Sequence, residues 1–307
     1  MKLRRMSTLR PLSESAHPRE FRKNRYVYPV LSRRAHGLSV GINLNPDKAC
    51  NFDCLYCQVD RSKQPQEYFV GLPQVLDELQ CVLRGLCPGG ALWQDPNFSA
   101  LPPDKVRVND IAFSGDGEPT TFKNFSQVVR ECVAVKEALN FGSAKVVLIT
   151  NATGLDRPDV KDALHFLDQH NGEVWAKLDA GTPEYFRLID NTDFPFSKVL
   201  ENIAACGCAR PIVIQSCFMK LRGVGPDADE ITAFVRRLLD LRAAGAALAL
   251  VQVYTVARDP AYGMVSSLED AEVDAIAERV RKETGLAAAS FYGAVAMGRG
   301  LLGTAPS

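Results

Sequence analysis

The chain has 307 residues, with 36 Lys or Arg balanced by 36 Asp or Glu, and hydrophobic residues make up 46% of it. That is the composition of a globular protein with a sizeable core, enough for one large α/β barrel or two small domains. The even charge excludes a chain that is basic throughout, as nucleic-acid binders usually are, and no run reaches the roughly 18 apolar residues of a membrane span.

The charge is uneven along the chain. Residues 1–36 hold Lys2, Arg4, Arg5, Arg10, Arg19, Arg22, Lys23, Arg25, Arg33 and Arg34 against Glu14 and Glu20. This stretch reads as a basic N-terminal extension, either a solvated arm or one that meets an anionic partner such as RNA. No apolar region follows the early Arg pair, so no secretory signal is expected and the cytoplasm is the expected location. In that reducing compartment the nine cysteines are thiols or metal ligands rather than a disulfide framework.

Short apolar runs then mark buried parallel strands at 38–44, 108–113, 145–150, 174–178, 211–215 and 248–254. Helical stripes separate them: Phe125, Val128, Val129, Cys132 and Leu139; Val160, Ala163, Leu164 and Leu167; Ile231, Phe234, Val235 and Leu238; Val273, Ile276, Ala277 and Val280. Residues 87–106, rich in Pro, Gly and Asn, read as a longer connection. The alternation predicts an α/β fold, a partial (β/α)6 TIM-like barrel of parallel strands with outer helices over 37–295, followed by a tail at 296–307. A doubly wound open sheet is the alternative. Both place ligands at the C-terminal strand ends.

The loop after the first of these strands carries Cys50, Cys54 and Cys57, a Cys-x3-Cys-x2-Cys spacing. Thiolates this close on one loop can wrap one iron–sulfur cluster, and three ligands for four irons leave one iron open. A zinc knuckle borrowing Cys206 or Cys208 is the alternative, and would make the chain a non-catalytic binding protein. The second strand ends in Ser114-Gly115-Asp116-Gly117-Glu118-Pro119-Thr120, where glycines admit a ligand close to the backbone and Glu118 can accept from an ammonium group. The third ends in Thr150-Asn151, the fourth in Lys177-Leu178-Asp179, whose charged residues share one face. Gln252 and Tyr254 likewise share a face in the sixth. All these polar clusters fall at strand ends.

The cysteine loop, with Tyr56 before its last cysteine, resembles the signature of the radical S-adenosylmethionine superfamily. Asn43-Leu44-Asn45-Pro46, the Ser114–Thr120 segment and Lys177-Leu178-Asp179-Ala180 most resemble the branch related to the wyosine-forming tRNA enzymes. The resemblance implies a [4Fe–4S] cluster on Cys50, Cys54 and Cys57, and reductive cleavage of S-adenosylmethionine to a 5′-deoxyadenosyl radical that abstracts hydrogen from a substrate. It implies that Tyr56 lies near the adenine and that Gly115, Gly117 and Glu118 meet the methionyl amino group. Thr150, Asn151, Lys177 and Asp179 would meet ribose or carboxylate, with Ser114, Asp116, Gln252 and Tyr254 also at the cofactor. It further implies a flavodoxin- or ferredoxin-like electron donor. The substrate is an RNA base, a protein side chain or a small molecule, and no individual catalytic residue is assigned. The second cluster of the wyosine enzymes has no matching cysteine set.

Overall fold

The computed structural model describes residues 12–13, 21–65, 67–99, 101–102 and 105–293. Its main sheet has eight strands in the order β1 (Val27–Ser32), β2 (Gly37–Ile42), β3 (Val108–Phe113), β4 (Lys145–Thr150), β5 (Gly172–Lys177), β6 (Ile212–Cys217), β8 (Leu248–Tyr254) and β10 (Ala288–Phe291). All neighbours from β2 to β10 are parallel, and β1 lies antiparallel on β2. A small antiparallel pair, β7 (Met219–Leu221) with β9 (Val265–Ser267), stands apart from it. The helices are α1 (Leu72–Leu86), α2 (Pro96–Ser99), α3 (Phe125–Ala138), α4 (Pro158–Leu167), α5 (Pro183–Asp190), α6 (Phe196–Ala209), α7 (Ala228–Ala243) and α8 (Asp270–Thr284).

Side chains alternate across each strand, and the two faces meet different surroundings. Val40 and Ile42, Ile111 and Phe113, Val146 and Leu148, Ile214, Val251 and Val253 join the helices in one large core. Ala112, Val147, Trp175 and Val213 form a separate small cluster on the other face, and no helix residue joins it. Among the described residues, helices therefore cover one face only. The sheet is a curled half-barrel with a concave interior, and the doubly wound alternative is set aside. The four expected helical stripes all face the large core. Pro158 opens α4, where its missing N–H costs no hydrogen bond.

All six expected strands are present, each within two residues of its expected ends. Two more flank them. β10 follows α8 and pairs with β8. β1 lies inside the stretch expected as a basic extension, because Val27, Tyr28, Val30 and Leu31 are buried in the sheet. The sheet thus begins before the expected boundary at residue 37. Two of the basic residues there are paired, Arg22 with Asp95 at 3.0 Å and Arg25 with Glu67 at 2.6 Å. Lys2, Arg4, Arg5, Arg10, Arg19 and the tail at 296–307 lie outside the described residues. The connection at 87–106 holds a 3-10 turn at Ala91–Gln94 and the short α2. Among the described residues no helix is long and apolar enough to cross a membrane.

Candidate functional site

The cysteine loop leaves the C-terminal end of β2 and is stitched to its neighbours by Asn side chains. Asn43 Oδ1 accepts from the backbone N–H groups of Asn45 (3.0 Å) and Asp116 (3.1 Å), while its Nδ2 donates to Asp116 Oδ2 at 2.6 Å. Asn51 Nδ2 donates to Thr153 Oγ1, and Asn151 Nδ2 to Asn51 Oδ1, each at 2.8 Å. Lys48, in the left-handed region at φ 62°, closes the loop by donating to the carbonyls of Asp60 and Lys63. Phe52 anchors it from below, packing edge-on against Phe186 of α5 at 5.5 Å.

Glycines make the close approach of the next loop possible. A Cβ on Gly117 would collide with the carbonyl of Ala49, and one on Gly115 with the Asn43 side chain. The result is a cavity of about 160 Å³ lined by Cys50, Cys54, Cys57, Tyr56, Ser114, Gly115, Asp116, Gly117, Glu118, Thr150, Asn151 and Lys177. Residues spread over more than a hundred positions of sequence therefore meet at the C-terminal ends of β2, β3, β4 and β5.

Glu118 is 3% exposed and fully engaged. Its Oε1 accepts from Thr120 N (3.2 Å), Thr120 Oγ1 (2.6 Å) and Thr150 Oγ1 (2.6 Å), and its Oε2 from Asn151 N (2.8 Å). Burial raises its pKa, and these four donors oppose the rise.

Lys177 and Asp179 pair at 3.2 Å, as their shared face predicts. Asp179 also accepts from Tyr56 Oη at 2.5 Å and from the backbone of Cys217 at 2.7 Å. Lys177 Nζ donates to Tyr254 Oη at 2.8 Å and lies 4.7 Å from the centre of the Tyr56 ring. Burial alone would lower the pKa of Lys177; Asp179 and then Tyr254 hold it well above the usual lysine value, so the cation persists inside the barrel. Tyr254 thus reaches the site through Lys177. Gln252, two residues earlier, does not: it accepts from Gln215 at 2.8 Å and lines a different cavity nearer the N-terminal strand ends.

Two neighbours of the cysteines lie beyond what sequence reasoning found. Cys57 Sγ accepts from Arg61 Nη1 at 3.4 Å and from Val59 N at 3.5 Å, and Arg61 Nη2 donates to the Asp116 carbonyl at 3.2 Å. Cys54 Sγ donates to Asp190 Oδ1 at 3.3 Å. Arg61 follows the motif by only four positions, which is a usable signal. Asp190 arrives from the end of α5, where the carbonyls of Ile189 and Asp190 accept from the backbone of Leu55 and Asp53, and no local pattern announces that.

Three thiols on one loop would leave one iron of a four-iron cluster open, whereas a structural zinc takes four ligands. The fourth ligands of the zinc alternative are engaged elsewhere. Cys206 accepts from Arg210 at 3.6 Å and lines another cavity, and Cys208 donates to the Ala244 carbonyl at 3.3 Å. An N–H···S bond such as that from Arg61 is a recurring support of cluster sulfurs.

No family model matches the chain. A GTPase Obg of Brachyspira hyodysenteriae is 26% identical over 197 residues, 62% of this chain and 25% of that protein. A UPF0026 protein of Helicobacter pylori is 24% identical over 220 residues, 68% of this chain and 61% of its own length. The UPF0026 protein MJ1312 of Methanocaldococcus jannaschii is 27% identical over 189 residues, 58% of this chain and 48% of its own. The chain thus spans between a quarter and about three fifths of these relatives. Among solved structures, TYW1 with a lysine-pyruvate adduct aligns with TM-score 0.45 at 14% identity, covering 81% of this chain and 74% of that one. Archaeal TYW1 aligns with TM-score 0.42 at 12% identity, over 81% and 72%.

The chain resembles the radical S-adenosylmethionine branch of the wyosine-forming enzymes. The resemblance rests on the cysteine loop and on the strand-end segments that the fold gathers around it. Within it, Tyr56 is fixed by Asp179 beside the third cysteine. Ser114 to Glu118, Thr150, Asn151 and Lys177 face the same cavity. Asp179 and Tyr254 stand behind Lys177, and Gln252 stands apart.

Proposed function

We propose that this chain is a radical S-adenosylmethionine enzyme that holds a [4Fe–4S] cluster on Cys50, Cys54 and Cys57. The supporting observation is the convergence of those thiols with Ser114–Glu118, Thr150, Asn151 and Lys177 on one cavity at the C-terminal strand ends, where ligands bind in parallel α/β barrels. When bound, the cluster and S-adenosylmethionine supply one-electron cleavage of a carbon–sulfur bond and a carbon radical, chemistry that belongs to the cofactor.

The protein's residues position and shield. Arg61 and the Val59 amide support the Cys57 sulfur. Gly115 and Gly117 let the loop after β3 close against Asn43 and the carbonyl of Ala49, so its backbone lines the same cavity as the cysteines. Lys177, kept charged by Asp179, offers its ammonium to a carboxylate. Glu118 braces Thr150 and the Asn151 amide in place, since its own oxygens are already taken up by protein donors. The cavity measures about 160 Å³ and opens to solvent, below the roughly 300 Å³ of a small-molecule pocket, so a larger cofactor would extend out of it. An electron donor of flavodoxin or ferredoxin type is the implied partner, and an RNA base, a protein side chain or a small molecule the substrate.

Anaerobic loading with iron and sulfide, followed by S-adenosylmethionine and a strong reductant, should yield 5′-deoxyadenosine, and Cys54→Ala should abolish it. Stoichiometric zinc with no iron after loading would sink the reading.

A further inference from the structure

The half-barrel has a second cavity, at the opposite end from the cysteines. It measures about 350 Å³, and Val108, Lys145 and Glu173 at the N-terminal ends of their strands line it together with Arg34, Trp175 and Gln252. In parallel barrels that end ordinarily serves stability. Two of its groups are poorly explained by stability.

Trp175 is 5% exposed, and its indole Nε1 is buried with no hydrogen-bond partner among the described residues. A buried donor left unpaired costs about 1–3 kcal/mol and is rare in folded proteins. Arg34 enters from the turn between β1 and β2. Its guanidinium lies 4.8 Å from the centre of the Tyr254 ring and 5.8 Å from that of Trp175. Among the described residues no carboxylate lies within ion-pair distance of it, although its charge acts on the buried Asp110 carboxyl in the same cavity. The cavity's two acids are occupied: Glu173 pairs with Lys145 at 2.9 Å, and Asp110 accepts from the Ser39 hydroxyl. A planar cation stacked on aromatic rings, beside an unsatisfied N–H donor, is a ready receptor for an oxyanion.

We infer that this cavity is a second binding site, distinct from the cysteine cavity, for a small organic molecule whose carboxylate or phosphate is held by Arg34 and accepts from the Trp175 indole. Gln252 supplies a further amide on the wall. Tyr254 links the two cavities: Arg34 stacks on its ring while Lys177, at the cysteine cavity, donates to its hydroxyl. The inference does not depend on the cluster reading, because Arg34, Trp175 and Gln252 line a cavity that no cysteine of the loop lines.

The sequence has two tryptophans, so full-length Trp93→Phe leaves Trp175 as the one tryptophan, read by excitation at the red edge where tyrosine does not absorb. Without added metal or cofactor, this protein is titrated with succinate, with inorganic phosphate, and with neutral succinamide. A saturable fluorescence change with succinate or phosphate, absent with succinamide, is expected. In Arg34→Gln the apparent Kd should rise about tenfold or more, the loss expected for one charged hydrogen bond, with partial recovery in Arg34→Lys. Saturation by succinate only assigns a carboxylate, and by phosphate only a phosphate. Calorimetry on Trp175→Phe gives a second readout, and weaker binding is expected there too. The inference is overturned by no saturable change with either anion, by an equal change with succinamide, by unaltered affinity in both Arg34→Gln and Trp175→Phe, or by displacement with S-adenosylmethionine. Since no cluster is present, the outcome is independent of the cofactor-cleavage assay.

Discussion

Arg61 donates through Nη1 to Cys57 Sγ while its Nη2 holds the carbonyl of Asp116. One guanidinium therefore ties the third cysteine to the glycine loop after β3. Charge and hydrogen bonds at a cluster sulfur stabilise the reduced state and raise its potential. Arg61→Gln should therefore load with iron and show a potential lowered by roughly 40 mV for each bond worth about 1 kcal/mol. A redox titration followed by electron paramagnetic resonance reads this directly, and an unchanged potential would remove Arg61 from the site.

Glu118 offers a test that needs no cofactor. Its Oε2 accepts from the Asn151 amide at 2.8 Å and its Oε1 takes three more donors. Glu118→Gln preserves shape but sets a donor against a donor whichever way the amide turns. The expected cost is about 1–3 kcal/mol, seen as an earlier midpoint in urea unfolding. A midpoint equal to the parent's would mean that this carboxylate is not bound as described.

Gly117→Ala addresses the close approach of two loops. The added methyl would meet the Ala49 carbonyl, one residue before Cys50. Backbone cannot yield there without moving the cysteine, so iron bound per chain after anaerobic loading should fall well below that of the parent. Gly142→Ala, with open space around its Cβ position, is the matched control and should load normally.

Asp110 gives a pH signature. Burial pushes its carboxyl up to about 6, against the pull of the Ser39 hydroxyl, while an unfolded aspartate titrates near 3.9. Because the folded value is the higher one, the contribution is fully present below about pH 4 and is lost as pH rises towards 6, a change of roughly 3 kcal/mol. Asp110→Asn should lack that slope. Denaturation of both proteins between pH 4 and 7 checks it, and parallel curves would contradict it.

Much of this was legible in the sequence because it is local. Strands buried in a parallel sheet read as continuous apolar runs, and all six such runs are strands. β1 is not legible as a strand because Arg25, Pro29 and Arg33 surround its apolar residues; as an edge strand it tolerates a proline. β10 is four residues long and half alanine. At the site, the cysteine motif and the glycine loop are contiguous and could be found. Period-two alternation correctly put Gln252 and Tyr254 on the concave face, but it gives no depth along the strand, and one step of two residues separates the two cavities. Asp190 needed the fold itself, since 136 positions separate it from Cys54.

The two unequal apolar clusters have an evolutionary consequence. The large one, between sheet and helices, carries the folding energy, while the concave face contributes only a small group around Trp175. Exchanges among the apolar residues of that small concave cluster therefore draw less on the margin that keeps the chain folded than exchanges in the large one do, whereas the buried charged groups of that side, Asp110 among them, still carry a stability cost. Such a barrel can exchange one interior apolar set for another and acquire a new ligand preference before its stability becomes limiting.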